Sequence, residues 1–277
     1  INWITDTGTI PRIYNGNVGS ILISLPQNIN EQRRIAEALQ NIDQLLDAMD
    51  AQIAKKQAIK TGAMQQLLTG KTRLAGFNKP WVKKYLWEVT IWDKRFNEVE
   101  NYKQPETIKY PYALAQELFA MEDNNGDVFL LSTGTYVGWT TEQKAGSFLC
   151  EGEIVSIPWG GFANVKYTKG KFVTADNRIA TSNNLQILTN KFLYFALLIR
   201  TELLNSFYRG AGLKHPSMDD VLNMEIEIPS SIEEQVQITD ILCNMDLEIQ
   251  ALQDERNKYA LIKQGMMQEL LTGKTRI

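Results

Sequence analysis

Two stretches of this chain gather cations without a single carboxylate. Ile154–Ala175 holds Lys166, Lys169 and Lys171, with Trp159, Asn164 and Tyr167 among them. Leu203–Met218 holds Arg209, Lys214 and His215. Cations position phosphates, while amides and imidazoles meet base edges, so the pattern suits duplex nucleic acid. Arg178, Trp139 and Thr141 are weaker members, because a Trp is more often core and an Arg more often structural. Taken alone, such a patch is commoner as a solvated loop. The net charge of −3 also requires that any nucleic-acid site be concentrated locally.

Other chemistries lack their residues. TGKT occurs at Thr69–Thr72 and Thr272–Thr275, as at the end of a phosphate-binding loop. That loop needs an earlier glycine where Gln65 and Gln268 stand, and a strand before it. Both copies instead close a helical pattern, so they read as helix caps. His215 is the only histidine, which leaves no Ser-His-Asp, Cys-His or histidine-based zinc arrangement. Glu122–Asp127 (EDNNGD) reads as a turn, without calcium-loop spacing. Lys109–Tyr112 (KYPY) lacks the amide or acid and the second proline of an amino-methyltransferase motif. Cys150 and Cys243 form no metal or disulfide spacing and read as reduced. The residues point to a non-catalytic chain with no cofactor of its own and no metal site.

The elements that position these residues are organised by a repeat. Glu31–Leu74 and Glu234–Ile277 align at a constant offset of 203, with 20 of 44 positions identical. Both open on Glu-Gln and close on LLTGKTR. Ile35, Leu39, Ile42, Leu46, Met49 and Ile53 alternate spacings of four and three, as do Ile238, Leu242, Met245, Ile249 and Leu252. That is a coiled-coil seam, interrupted at Lys56 and Arg256. Asn28 with Glu31, and Ser231 with Glu234, fit capping boxes. Gly70 and Gly273 fit the left-handed position past each helix end. About 38 residues per helix give roughly 57 Å, and the two are expected to pack antiparallel.

The repeat also extends backward: Val18 matches Val221, and Pro26 matches Pro229. Residues 1–29 therefore read as the tail of a first domain, 30–74 and 233–277 as the two helical spacers, and 75–232 as a complete inserted domain. Strands are expected at Val128–Ser132, Ile154–Pro158, Lys171–Thr174 and Leu185–Leu188, and helices at Tyr112–Met121 and Lys191–Ser206. The fold class is α+β, a mixed α/β domain flanked by two long helices. No apolar run approaches the roughly 18 residues of a membrane span, and INWITDTGTIPRIYNG lacks signal-peptide features. The expected location is cytoplasmic. Without an initiator Met, the chain is expected to lack upstream sequence.

A Pro followed by EQ, an amphipathic helix closing in LLTGKTR, a variable domain and the same helix again resemble the specificity subunits of Type I restriction–modification systems. Gly126-Asp127-Val128, Phe162–Lys171 and Gly210–His215 (GAGLKH) look like stations of the family's target-recognition domain. The resemblance implies a DNA-reading subunit that recognises one half of a bipartite double-stranded target. Its DNA contacts would be Trp159, Asn164, Lys166, Lys169, Lys171, Arg209, Lys214 and His215. The helices would set half-site spacing and dock methylation subunits, which carry S-adenosylmethionine. Restriction subunits, with ATP and Mg²⁺, would join them. The family pattern has two recognition domains and this chain has one plus a tail containing Arg12. It therefore reads as an N-terminally truncated subunit or as a half-subunit that works as a homodimer. The alternative from another class is a coiled-coil assembly protein or remnant that binds methylation subunits without reading DNA.

Overall fold

The computed structural model describes Gly19, Ile23 and residues 25–93, 100–104 and 106–277. Arg12, Val18 and most of the expected tail of a first domain lie outside these residues. The chain divides into two compact units, residues 1–57 with 247–277 and residues 58–246. Helix α1 (Ile29–Leu67) and helix α8 (Ile232–Leu270) run through both.

Within the first unit the two helices pair antiparallel, as expected. Lys56 pairs with Glu248 at 2.7 Å, Arg256 with Asp50 through two bonds of 3.0 Å, Lys263 with Asp43, and Arg276 with Glu31. Residue numbers rise along one helix as they fall along the other. Ile35, Ile42, Leu46, Met49, Ile53 and Ile249 are buried, while Leu39 and Leu252 are half-buried. The two interruptions of the apolar seam, Lys56 and Arg256, are the residues that make cross-helix ion pairs. Long cationic side chains can occupy such a seam position because an apolar stem carries the charge outward, and here both heads reach an acid on the partner helix.

The second unit is built on a six-stranded mixed sheet. Its strands are β2 (Thr90–Trp92), β3 (Val128–Leu131), β4 (Val137–Thr140), β5 (Cys150–Pro158), β6 (Lys166–Thr174) and β7 (Asn177–Ser182), in the order β2-β7-β5-β6-β3-β4. β3 and β6 are parallel and the remaining neighbours antiparallel. Helix α5 (Asn190–Leu198) lays Phe192, Leu193 and Ala196 against Val155, Ile157 and Ala180 of the sheet. Met64, Leu67 and Leu68 of the first helical repeat and Ile238 and Leu242 of α8 complete the same core; Met245 packs at its edge. Strand β1 (Trp81–Tyr85) pairs with β10 (Glu225–Pro229) just before α8 begins.

Several expected elements differ. Leu185–Leu188 is a turn, because Asn184 Oδ1 accepts from the Gln186 N–H and its carbonyl accepts from Ile187 and Leu188. The strand lies earlier, at β7. The single helix expected over 191–206 is two, α5 and α6 (Thr201–Ser206). Arg200 leaves helical geometry at φ −102 and ψ 18, and the Thr201 hydroxyl donates to the Leu198 carbonyl.

The capping boxes are also not as expected. Asn28 Oδ1 accepts from Asn30, and Ser231 Oγ accepts only a 3.4 Å bond from Glu234. Neither Glu reaches back to its own helix start, because each is held by an arginine of the other repeat. The adjacent glutamines do the reaching back. Gln32 Nε2 donates to the Pro26 carbonyl at 2.7 Å, and Gln235 Nε2 to that of Pro229 at 3.0 Å. Both TGKT motifs end their helices as expected, with Gly70 at φ +66 and Gly273 at φ +73. Thr72 and Thr275 donate their N–H groups to the carbonyls of Gln66 and Glu269.

Candidate nucleic-acid interface

The first cationic stretch straddles the β5–β6 connection, and the second forms the ribbon β8 (Tyr208–Arg209) and β9 (His215–Pro216). The sheet brings them together. The Trp159 N–H donates to the Asp176 carbonyl at 3.0 Å, fixing the indole at the end of β5. The Arg178 guanidinium lies 3.7 Å from the indole centroid, and the His215 ring lies 5.0 Å away. Such cation–aromatic stacking holds an arginine at a fixed plane. His215 Nδ1 is 2.7 Å from the Trp159 carbonyl. A carbonyl only accepts, so Nδ1 carries a proton and Nε2 remains to meet a partner.

The surrounding loops are tied to this centre. Gly161 donates to the Lys214 carbonyl at 2.9 Å, and the Tyr208 hydroxyl to that of Pro158 at 2.7 Å. Ala163 N–H donates to Asn205 Oδ1 at 2.6 Å. Asn164 Nδ2 donates to the Gly134 carbonyl at 2.9 Å, which pins the polar loop 132–136 (STGTY). Lys166 holds the same loop, its Nζ donating to the Ser132 carbonyl at 2.8 Å and to Ser132 Oγ at 3.0 Å. Burial pulls the Lys166 ammonium down to about 8, because desolvation penalises the charged form.

The predicted contact residues therefore fall into two groups. Trp159, Asn164, Lys166, Arg209, Lys214 and His215 gather at one end of the sheet. Lys169 and Lys171 point to the face opposite Lys166, because strand side chains alternate, and Lys171 lies roughly 17 Å along β6 at about 3.3 Å per residue. Lys169 pairs with Glu153 at 3.4 Å and Lys171 with Glu142 at 2.5 Å. Trp139 lies in the same region, edge-on to Phe129 at 5.5 Å, and Thr141 accepts from Lys144 N–H as the cap of helix α4 (Glu142–Ala145). Arg209 pairs with Asp220 at 2.5 Å. Arg178, a weak candidate in sequence because arginines are more often structural, is 3% exposed and pairs with Asp176 at 3.2 Å, so it supports the tryptophan from beneath. The loop 132–136 carried no charge signal and was legible only as turn chemistry, Gly134 among hydroxyl residues.

Among the described residues no group of three histidines, cysteines or carboxylates could hold a metal, and no helix is long and apolar enough to cross a membrane. Cys150 and Cys243 are free thiols.

Residues 93–259, more than half of the chain, match the family model described as the Type I restriction modification DNA specificity domain. A curated relative is the Type I restriction enzyme MjaVIII specificity subunit of Methanocaldococcus jannaschii, 25% identical over 122 residues. That alignment takes in 44% of this chain and 28% of the relative, well under two thirds of its length. The solved S subunit of the Type I restriction–modification system from M. genitalium superposes with a TM-score of 0.64 at 16% identity, over 98% of this chain and 68% of that one. A chain from a structure of a type I R-M system, determined for its complex assembly and conformational transition, gives 0.52 at 16% identity over 97% and 66%. These likenesses establish the same fold.

Proposed function

Since the chain belongs to the Type I restriction–modification DNA specificity family, we propose that it reads one half of a bipartite duplex target through the Trp159–Arg178–His215 centre. The observation that carries this reading is the convergence of two acid-free loops on one stacked tryptophan, with Lys214 exposed beside His215, whose Nδ1 is held by the Trp159 carbonyl. Phosphate contacts come from Lys214 and Arg209, and base-edge contacts from His215 and the loop 132–136. Asn164 and Lys166 hold that loop in place. Lys169 and Lys171 supply outlying phosphate contacts, which require exchange of their carboxylate partners.

In this reading the paired helices fix the distance to a second half-site and dock methylation subunits. Methyl transfer with S-adenosylmethionine, and restriction with ATP and Mg²⁺, belong to those partner chains, and the chain works in the cytoplasm. The test is a gel shift with a random duplex pool, with and without a methylation subunit. Enrichment of one sequence in either condition supports the reading. Binding of methylation subunits with no enriched sequence favours the assembly-protein alternative.

A further inference from the structure

Two large apolar side chains stand out from the tip of the proposed interface. Phe162 is 72% exposed and Leu213 is 66% exposed. Single exposed apolar residues are ordinary, but these two sit on loops that are bound to each other. The Gly161 N–H to Lys214 carbonyl bond joins the loops, and the Leu213 side chain lies over Gly160, where a Cβ would come within 2.9 Å of Leu213 Cδ2. Gly161 at φ +98 and Gly210 at φ +140 make the turns that lift both tips. Neither Gly160–Val165 nor Gly210–His215 contains a carboxylate, and the second follows Arg209 and carries Lys214.

Resting on the DNA-reading assignment, we infer that Phe162 and Leu213 form a wedge that enters a base-pair step of duplex DNA from the minor groove and unstacks it. Apolar side chains pushed between base pairs kink the duplex at the expense of stacking, and neighbouring cations hold the backbone on either side. A wedge must be rigid to deliver that energy rather than fold aside, and the cross-tied glycine loops meet this need. Pyrimidine–purine steps unstack most easily. The wedge therefore adds a preference for TA or CA at a position where no polar group reads the base.

The experiment uses the chain in complex with methylation subunits, on a duplex selected from the random pool, with 2-aminopurine placed singly at each purine. The expected result is a fluorescence rise of about threefold or more at one step, which returns to the free-duplex level in the F162A/L213A double variant. Salt dependence of binding is unchanged by that variant, and Phe162→Leu retains the rise. Signal from an adenine extruded by the methylation subunit serves as an internal control, because it persists in the double variant. Duplex binding with no step-specific signal lost in the double variant overturns the wedge and leaves DNA reading intact. Loss of methylation-subunit association in the variant, with base stacking unaltered, overturns it in favour of a protein contact. Failure of the unaltered complex to bind any duplex overturns both assignments.

Discussion

Arg73 grips Glu234 through two bonds, 2.7 Å from Nε and 2.8 Å from Nη2, so the last arginine of the first LLTGKTR holds the first acid of the second repeat. The relation is reciprocal: Arg276 of the second LLTGKTR holds Glu31 of the first. The repeated sequence is thus a pair of end clamps on an antiparallel helix pair. Both acids are buried, Glu234 at 0% and Glu31 at 5% side-chain exposure, and Trp81 Nε1 also donates to Glu234 at 3.4 Å; the arginines differ, Arg73 at 28% and Arg276 at 70%.

Arg73→Ala leaves the buried Glu234 carboxylate without its main partner. Breaking a buried pair by removing one member costs about 3 kcal/mol at the lower end of its range, which suits a guanidinium that is partly exposed. Arg276→Ala also strips a buried acid, Glu31, but the guanidinium it removes is solvent-screened, so the midpoint is expected to shift less. Urea denaturation of the two variants, compared side by side, measures the difference; equal shifts would contradict the asymmetry.

Lys166 gives a pH dependence of defined sign. Its proton is held below the ordinary 10.5, at about 8, in the folded chain. Between those values the unfolded chain binds the proton that the folded chain has released. Stability from this residue therefore rises with pH across that window. The unfolding free energy of the unaltered chain minus that of Lys166→Met is expected to rise from pH 8 to pH 10. A flat difference would show that the ammonium is not desolvated.

The two groups of cations should separate by salt dependence. Lys214→Ala removes an exposed lysine proposed to contact phosphate and is expected to lower the slope of log K against log salt by about 0.9. Lys171→Ala gives a smaller change, because its ammonium is already engaged by Glu142. Fluorescence anisotropy at four salt concentrations distinguishes them.

Much of the fold was legible because period and punctuation agree. The four-three spacing of Ile35, Leu39, Ile42, Leu46 and Met49 predicted the helix seam, and glycine after each apolar run predicted both helix ends. The role of Glu31 and Glu234 was not legible. A local capping box and a clamp 161 or 245 residues away use the same acid, and sequence spacing sees only the local partner. The turn at Leu185–Leu188 was misread for a similar reason, since its apolar residues match a strand while Asn184 bends the backbone. In the candidate site, charge runs located both loops but could not show which face of β6 each lysine takes. Arg178 is a weak candidate in sequence because a structural arginine is the commoner state, and the side chain is indeed 3% exposed, paired with Asp176 at 3.2 Å and stacked under the tryptophan.

The most direct test compares the motif enriched from a random duplex pool by the unaltered chain, in complex with methylation subunits, with that enriched by His215→Ala. Loss of one base-edge contact is expected to remove about 1–3 kcal/mol of discrimination at a single position. The other positions of the motif are expected to stay as they were. Motifs that remain identical at every position would contradict the claim that the Trp159–Arg178–His215 centre reads sequence.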